Sequence, residues 1–453
     1  MSPAYIILIV VAGVALLLLM VLKFKLSAFI ALLITSIVVG IMAGMPLQKI
    51  SESIQEGMGS TLGFVATVVG LGAIFGQMLE SSGGAKSLAT FLLKKFGTNR
   101  SSWALCLTGF IVGIPIFLDV GFIILVPIVY ALTKDTKRSV LYYAIPLLAG
   151  LAVTHTMVPP TPGPMAVGEI LGVDLGWVVM MGLIVGLPTA VVAGPIFGKF
   201  IAKKIYLPAP DIFQESGTET NDAHQELPSF GIIAALIMTP LLLIVMSTFI
   251  KLGIDKGWLK SSFITEILVF IGHPFTALII ATLMSVLLCL KRNMSRQTIL
   301  DLSTKALGPA GIIILVTGAG GVLKQILVDS GIGKMLAESL AGSSIPLLVL
   351  AWLLAALVRI TQGSATVAMI TAAGIIAPLL TSFNLDQQNV ALIVIAIAAG
   401  ATILSHVNDS GFWIVSKYLG MNEKQTLQTW TVMETIIAVS GLVFTLFLSL
   451  FFH

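Results

Sequence analysis

Apolar runs of about 18 residues or more, the length that crosses a ~30 Å hydrocarbon layer as helix, recur along the whole of this chain. Their pattern predicts spans near 4–22, 26–44, 61–80, 139–157, 176–198, 229–250, 262–290, 308–327, 387–405 and 428–451. Two further apolar regions, 101–133 and 345–381, are too long for one ordinary span. Each carries a polar interruption near its middle, IPIFLD at 114–119 and RITQGSAT at 359–366. Both are predicted to be re-entrant helical hairpins that enter and leave on one side. Non-helical backbone at that depth is tolerated only where it is buried in protein or lines a wet cavity, so the tips are expected to meet something polar. The weak ~10-residue alternation of an outer-membrane barrel is absent, and the fold class is predicted to be all-α.

The interruptions belong to a repeat. GLGAIFGQMLESSG at 70–83 returns as GAGGVLKQILVDSG at 318–331, so that Gly70, Gly72, Gln77, Leu79, Ser82 and Gly83 match Gly318, Gly320, Gln325, Leu327, Ser330 and Gly331. Each copy is followed by a hairpin and then by a span that breaks near a histidine, LLAGLAVTHTMVPP around His155 and IAAGATILSHVNDS around His406. Two corresponding interrupted segments are the sequence pointer to a secondary transporter's binding site. The expected organisation is an N-terminal membrane repeat at 1–206, a polar cytoplasmic linker at 207–228 that includes His224, and a C-terminal membrane repeat at 229–453, each repeat with one hairpin and one discontinuous transmembrane helix.

Composition sharpens the solvent: 57% hydrophobic residues, a mean hydropathy of +1.05 and 10% charged residues, against roughly 25% charged in soluble domains. The bilayer is therefore a partner. The apolar stretch 5–22 lacks a preceding basic region and is read as a retained first span. Cys106 and Cys289 lie in apolar segments without metal spacing and are read as packing residues. A net charge of +4 suggests no nucleic-acid partner, and no GxxxxGK[ST] phosphate loop occurs, which leaves an ion or solute gradient as the driving force. If the KFK loop at 23–25 is cytoplasmic, 18 of the 25 Lys and Arg fall on that side, as the positive-inside rule requires. The two hairpins then open to opposite sides and the repeats are inverted; the reverse orientation is the alternative.

The interruptions supply the candidate chemistry. Asp119 is a carboxylate at membrane depth, costly enough to suggest a role; it is expected to be buried and to carry a coupling proton, or else to pair with a donor such as Arg359. His155 and His406 could relay a proton or bind a substrate hydroxyl, or simply cap a helix. Asp409 could hold the coupling cation or act as an N-cap, and Asn408 offers an amide to a hydroxyl or to the local turn. Pro159, Pro160, Pro162 and Pro164 cannot continue a helix. The break they make should expose Pro160, Thr161 and Gly163 as a cradle for a polyhydroxylated acid. Gln362, Gly363, Ser364 and Thr366 open the helix after the second interruption, where aligned amides attract anions. Arg359 beside them could neutralise a carboxylate or snorkel to the interface.

The runs GIPIFLDVGFIILVPIVYAL at 113–132, THTMVPPTPGPMAV at 154–167, QGSATVAM at 362–369 and HVNDSGFWIVSKYLG at 406–420 resemble the gluconate permease family of proton symporters, within the ion-transporter superfamily. Where that family commonly has Glu in the first hairpin this chain has Asp119, and its usual PPHPGP has Thr161 in place of His. The resemblance implies proton-coupled import of gluconate or a related small sugar acid by alternating access across the bacterial cytoplasmic (inner) membrane, with no cofactor and no enzymatic activity. Coupling to Na⁺ instead of H⁺, a D-serine-type substrate and a homodimeric assembly stay open. An intramembrane enzyme using Asp and His, and a passive channel, are the alternatives from other classes.

Overall fold

Residues 3–97, 100–210, 227–332, 346–380, 383 and 385–452 are described by a computed structural model, in which every regular element among the described residues is helical. Seven of these helices are long and apolar enough to cross a membrane. Leu242, Leu283, Ile312 and Phe447 stand exposed on such helices, the surface a lipid-facing helix presents. Trp258, Phe263 and Tyr206, just beyond span ends, are exposed as well, and aromatic residues favour the headgroup level.

The two copies of the repeated motif end the two longest helices, Leu47–Ser81 and Arg296–Asp329. They lie antiparallel against one another: Ser53 donates to Asp329 at 2.5 Å near one end, while Gly70 faces Leu307 toward the other. Both begin well before the apolar windows at 61–80 and 308–327, because hydropathy marks the bilayer-embedded part of a helix and these helices run on through polar turns such as SESIQEG.

Both hairpins form. The first consists of Ser101–Val112 and Leu118–Thr136, the second of Leu347–Gln362 and Ala365–Leu380. Both interrupted spans break, the first into Leu141–Met157 and Pro162–Leu171, the second into Gln387–Gly400 and Ser410–Tyr418. The leading arm of each hairpin packs on the broken helix of its own half, where Gly150 meets the Cys106 carbonyl in one and Gly400 meets the Trp352 carbonyl in the other. The trailing arms cross over. Leu118–Thr136 meets Ser410–Tyr418, with the Tyr130 hydroxyl on the Tyr418 carbonyl, and Ala365–Leu380 meets Pro162–Leu171, with Met369 against Gly163. The leading pieces of the broken helices are apolar all round and almost wholly buried, so the polar breaks are delivered to the interior.

Other elements also differ from the sequence expectation. The span at 262–290 is two helices, Phe263–Ile271 and Pro274–Lys291, since Pro274 opens the second and the His273 ring accepts from the Phe275 amide at 3.3 Å. The span at 387–405 stops at Gly400, six residues short of His406. An amphipathic helix, Gly84–Phe96, precedes the first hairpin and is too polar on one face to register as a span. The span at 176–198 continues as a π-helical turn, Val192–Ile196, into Phe197–Lys204. Of the linker expected at 207–228, residues 211–226, His224 among them, lie outside the described residues; its flanks are anchored by Val140 N–H on the Leu207 carbonyl at 2.8 Å and Ser87 on the Pro228 carbonyl at 2.5 Å.

Candidate functional site

A cavity of about 440 Å³ lies where both hairpin tips meet both broken helices, a volume inside the ~300–1,000 Å³ range of small-molecule sites. Its wall contains Asp119, His155, Arg359, Gln362, Gly363, Ser364, Thr366, Asn408 and Asp409, nine of the residues singled out in the sequence. It also contains Thr156, Ser410, Trp430 and Glu434, which were not.

Three helices begin at this wall, Leu118–Thr136, Ala365–Leu380 and Ser410–Tyr418. A helix N-terminus carries about half a positive charge and unpaired amides, so three of them favour an anion. Two are already answered: Asp119 sits in the first turn of Leu118–Thr136, and Asp409 caps Ser410–Tyr418, accepting from the Gly411 amide at 3.0 Å. The start of Ala365–Leu380 has no acidic residue in its first turn. There the Ser364 hydroxyl accepts from the Val367 amide at 3.4 Å.

Arg359 stands beside that N-terminus, in the last turn of Leu347–Gln362, with 4% of its surface exposed. It neither snorkels to an interface nor pairs with Asp119. Its Nη2 donates to Asp409 Oδ2 at 2.5 Å and its Nη1 donates to the Gly363 carbonyl, bracing the hairpin tip. Asp409 Oδ2 also accepts from the Ser405 hydroxyl, which in turn accepts from the Trp430 indole at 2.7 Å. Asp409 is thus fixed by a cation, a hydroxyl and an amide. Gly363 has φ +83°, and a side chain there would collide with the Asn408 carbonyl; only glycine lets the tip close onto the second break.

Asp119, expected to be buried, is exposed where the first hairpin borders the cavity, and among the described residues it makes no ion pair. The buried acid of the wall is Glu434, 3% exposed. Seven buried side-chain polar atoms lack a hydrogen-bond partner among the described residues, and four belong to wall residues: His155 Nδ1, Arg359 Nε, Gln362 Oε1 and Glu434 Oε1. Buried polar groups are normally satisfied, so unmet hydrogen-bonding capacity concentrates here.

Four candidates lie outside the wall. The Nε2 of His406 meets the Ile360 carbonyl at 2.9 Å, a carbonyl that the Asn408 amide also reaches at 3.0 Å; both residues satisfy the end of the second hairpin's leading helix, and Asn408 additionally borders the cavity. Thr161 is buried and donates to the Val158 carbonyl at 2.6 Å. Pro160, joined to Pro159 by a cis bond, turns its carbonyl toward Gly72, and Gly163 lies under Met369. The proline-rich break therefore packs against the repeat helix and the second hairpin. Glu434 was legible as the one acid in the apolar span 428–451, and the rule that intramembrane carboxylates deserve a role would have found it.

The profile of GntP family permeases matches residues 5–451. The chain belongs to this family. Among curated members, this permease is 39% identical over 442 residues to the low-affinity gluconate transporter of Escherichia coli K12, covering 97% of each chain. It is 40% identical over 449 residues to the gluconate permease of Bacillus subtilis, covering 98% of this chain and 99% of that one. It is also 38% identical over 448 residues to the Gnt-II system L-idonate transporter of E. coli K12. Among solved structures, the Alcanivorax borkumensis YdaH transporter matches with a TM-score of 0.60 at 14% identity, over 87% of this chain and 88% of that one; at that identity the likeness concerns the fold. The permease is a multi-pass membrane transporter, not an enzyme.

Proposed function

We propose that this permease imports gluconate or a closely related sugar acid across the bacterial inner membrane, coupled to protons, by alternating access. The observation that carries the substrate class is the juxtaposition of Arg359 with the one helix N-terminus at the cavity wall that has no acidic residue, at Ala365. A carboxylate placed there meets a guanidinium and aligned amides. Around it, Gln362, Asn408, Ser410 and Thr156 offer neutral hydrogen bonds to a polyol chain, and Asp119 accepts from hydroxyls at the other tip. The names of the relatives, two for gluconate and one for idonate, agree with that chemistry. The inverted pairing of two repeats, which alternating access requires, is supported by the antiparallel repeat helices and by the crossed packing of the hairpins' trailing arms. The positive-inside rule supports a cytoplasmic side for the basic loops.

The test is uptake by the purified protein in sealed proteoliposomes under an imposed inward proton gradient, across gluconate, idonate, other sugar acids and D-serine. Accumulation of a sugar acid that collapses with the gradient is expected; uptake indifferent to the gradient would remove the coupling and favour a passive channel. One observation keeps the D-serine reading: Asp119, exposed and without an ion pair among the described residues, would suit an ammonium group. Stronger competition by D-serine than by idonate against labelled gluconate would decide for it.

A further inference from the structure

Glu434 sits in the first turn of Val432–Ser449, directly after the π-helical turn Leu427–Thr431 and one helical turn beyond Trp430. π-turns inside α-helices mark functional sites more often than chance; here the turn belongs to the element that brings both side chains to the cavity. Glu434 is the only buried acid among the described residues, and its Oε1 has no hydrogen-bond partner.

Its charged surroundings are few. Of the elements packed on Val432–Ser449, the helices Leu175–Val191 and Gln387–Gly400 and the turn Val192–Ile196 carry no charged residue. Leu141–Met157 contributes His155 and Leu347–Gln362 contributes Arg359, while Asp409 and Asp119 face the same cavity. Among the described residues Arg359 is the only Lys or Arg of the wall, and Asp409 already holds it at 2.5 Å. Ionised, Glu434 shares Arg359 with Asp409 and has no cation of its own, so it is the carboxylate of the wall whose charge is least well held. A substrate carboxylate entering against Arg359 adds one more negative charge to a site with a single cation. The least costly compensation is a proton on the buried acid.

We propose that Glu434 is the proton-binding residue of the transport cycle, taking up one proton as the substrate carboxylate binds at Arg359 and releasing it when the substrate departs. The exchange balances: one carboxylate and one proton enter together and leave together, so the loaded cavity carries the same net charge as the empty one with Glu434 ionised. Asp119 has no such part, since its charge faces the wet cavity. The inference rests on the sugar-acid reading of this cavity, and the experiment separates the two.

Glu434→Gln in proteoliposomes should still exchange labelled for unlabelled gluconate across the membrane. It should lose at least tenfold of its gradient-driven accumulation and all gluconate-induced proton movement, and its gluconate affinity should no longer vary with pH. Glu434→Asp should retain proton movement. Glu434→Gln that still accumulates gluconate with wild-type proton movement overturns the proposal, as does loss of proton movement in Asp119→Asn alone. Where Glu434→Gln does not assemble, infrared difference spectra of the wild type provide the test: gluconate binding should create a protonated carboxyl band, and its absence overturns the assignment. If the wild type binds no sugar acid at all, the functional reading fails first, which that same binding measurement reveals.

Discussion

Asp409→Asn probes the central pair of the cavity. Arg359 and Asp409 expose only 4% and 13% of their side chains, and removing one partner of a buried pair costs about 3–5 kcal/mol because it strands the other charge. Asparagine still caps Ser410–Tyr418 and is as good an N-cap as aspartate. Arg359 also keeps its bond to the Gly363 carbonyl, so the loss should fall near the lower end, about 3 kcal/mol. A substrate carboxylate should then replace the missing charge. The same substitution is therefore expected to destabilise the empty protein and to bind gluconate more tightly, by about tenfold if it recovers ~1.4 kcal/mol. Equilibrium unfolding in mixed micelles, with and without saturating gluconate, measures both quantities. The cycle with Arg359→Gln isolates the pairwise term, expected to exceed about 2 kcal/mol, inside the 0.5–3 kcal/mol seen for contacting residues. An empty Asp409→Asn protein within about 1 kcal/mol of wild type would refute the claim that the pair is buried and coupled, and Arg359→Gln binding gluconate normally would refute its place in the site.

Gly363→Ala forces a side chain into a left-handed position against the Asn408 carbonyl; the backbone conformation alone costs about 1 kcal/mol, and the collision should add to it, so thermal stability and gluconate binding should fall together. Asp119→Asn should weaken gluconate affinity by about one charged hydrogen bond, some 1.5–3 kcal/mol, while proton movement per gluconate stays unchanged, read from substrate-induced pH changes in vesicles. Asp174, which caps Leu175–Val191 beyond the membrane-spanning segments, accepts from Lys251 at 2.8 Å, from Thr248 and from the Gly176 amide at 3.0 Å. Burial pushes its carboxyl up, but the bonds from Lys251, Thr248 and Gly176 together outweigh this and hold it below its ordinary value of 3.8. A depressed carboxylate stabilises fully above its unfolded value and loses that contribution as pH falls through the folded one. Asp174→Ala should cost about 1 kcal/mol at neutral pH, and the difference from wild type should shrink as pH falls below the ordinary carboxylate range and through the depressed folded value; acid titration of thermal stability checks this.

The hairpins and breaks were legible because a polar residue at membrane depth has few structural explanations. IPIFLD and RITQGSAT mark the hairpin tips to within a few residues, and the second tip supplies Arg359, Gln362, Gly363, Ser364 and Thr366 to the cavity wall. Pairing was not legible. Nothing in the order of residues says that Arg359 reaches Asp409 fifty positions away rather than Asp119, because the choice depends on which arms cross between the halves. Nor does spacing tell that His406 turns to the Ile360 carbonyl: a histidine at a break looks the same whether it faces a cavity or caps a neighbouring helix. Glu434 was missed for a different reason. It lies in a span with no visible interruption, and the π-turn before it leaves no mark in hydropathy.

The unequal contributions of the two halves follow from what each break must neutralise. In the second half the break is capped by a carboxylate, Asp409, which starts Ser410–Tyr418 and is held by the buried Arg359. The cation that attracts substrate is thus the same one that stabilises the fold, so an incoming carboxylate competes with Asp409 for a single guanidinium. In the first half the break uses prolines instead of a charge: Thr161 bonds to Val158 and the helix restarts at Pro162, where a missing amide needs no partner. That break can pack in the interior without a counterion, which is why Pro160 and Gly163 lie under Gly72 and Met369 and not in the cavity. Exchanging the two solutions should fail in both directions. A carboxylate in the first break would have no nearby guanidinium, and a proline-capped second break would leave Arg359 buried without Asp409.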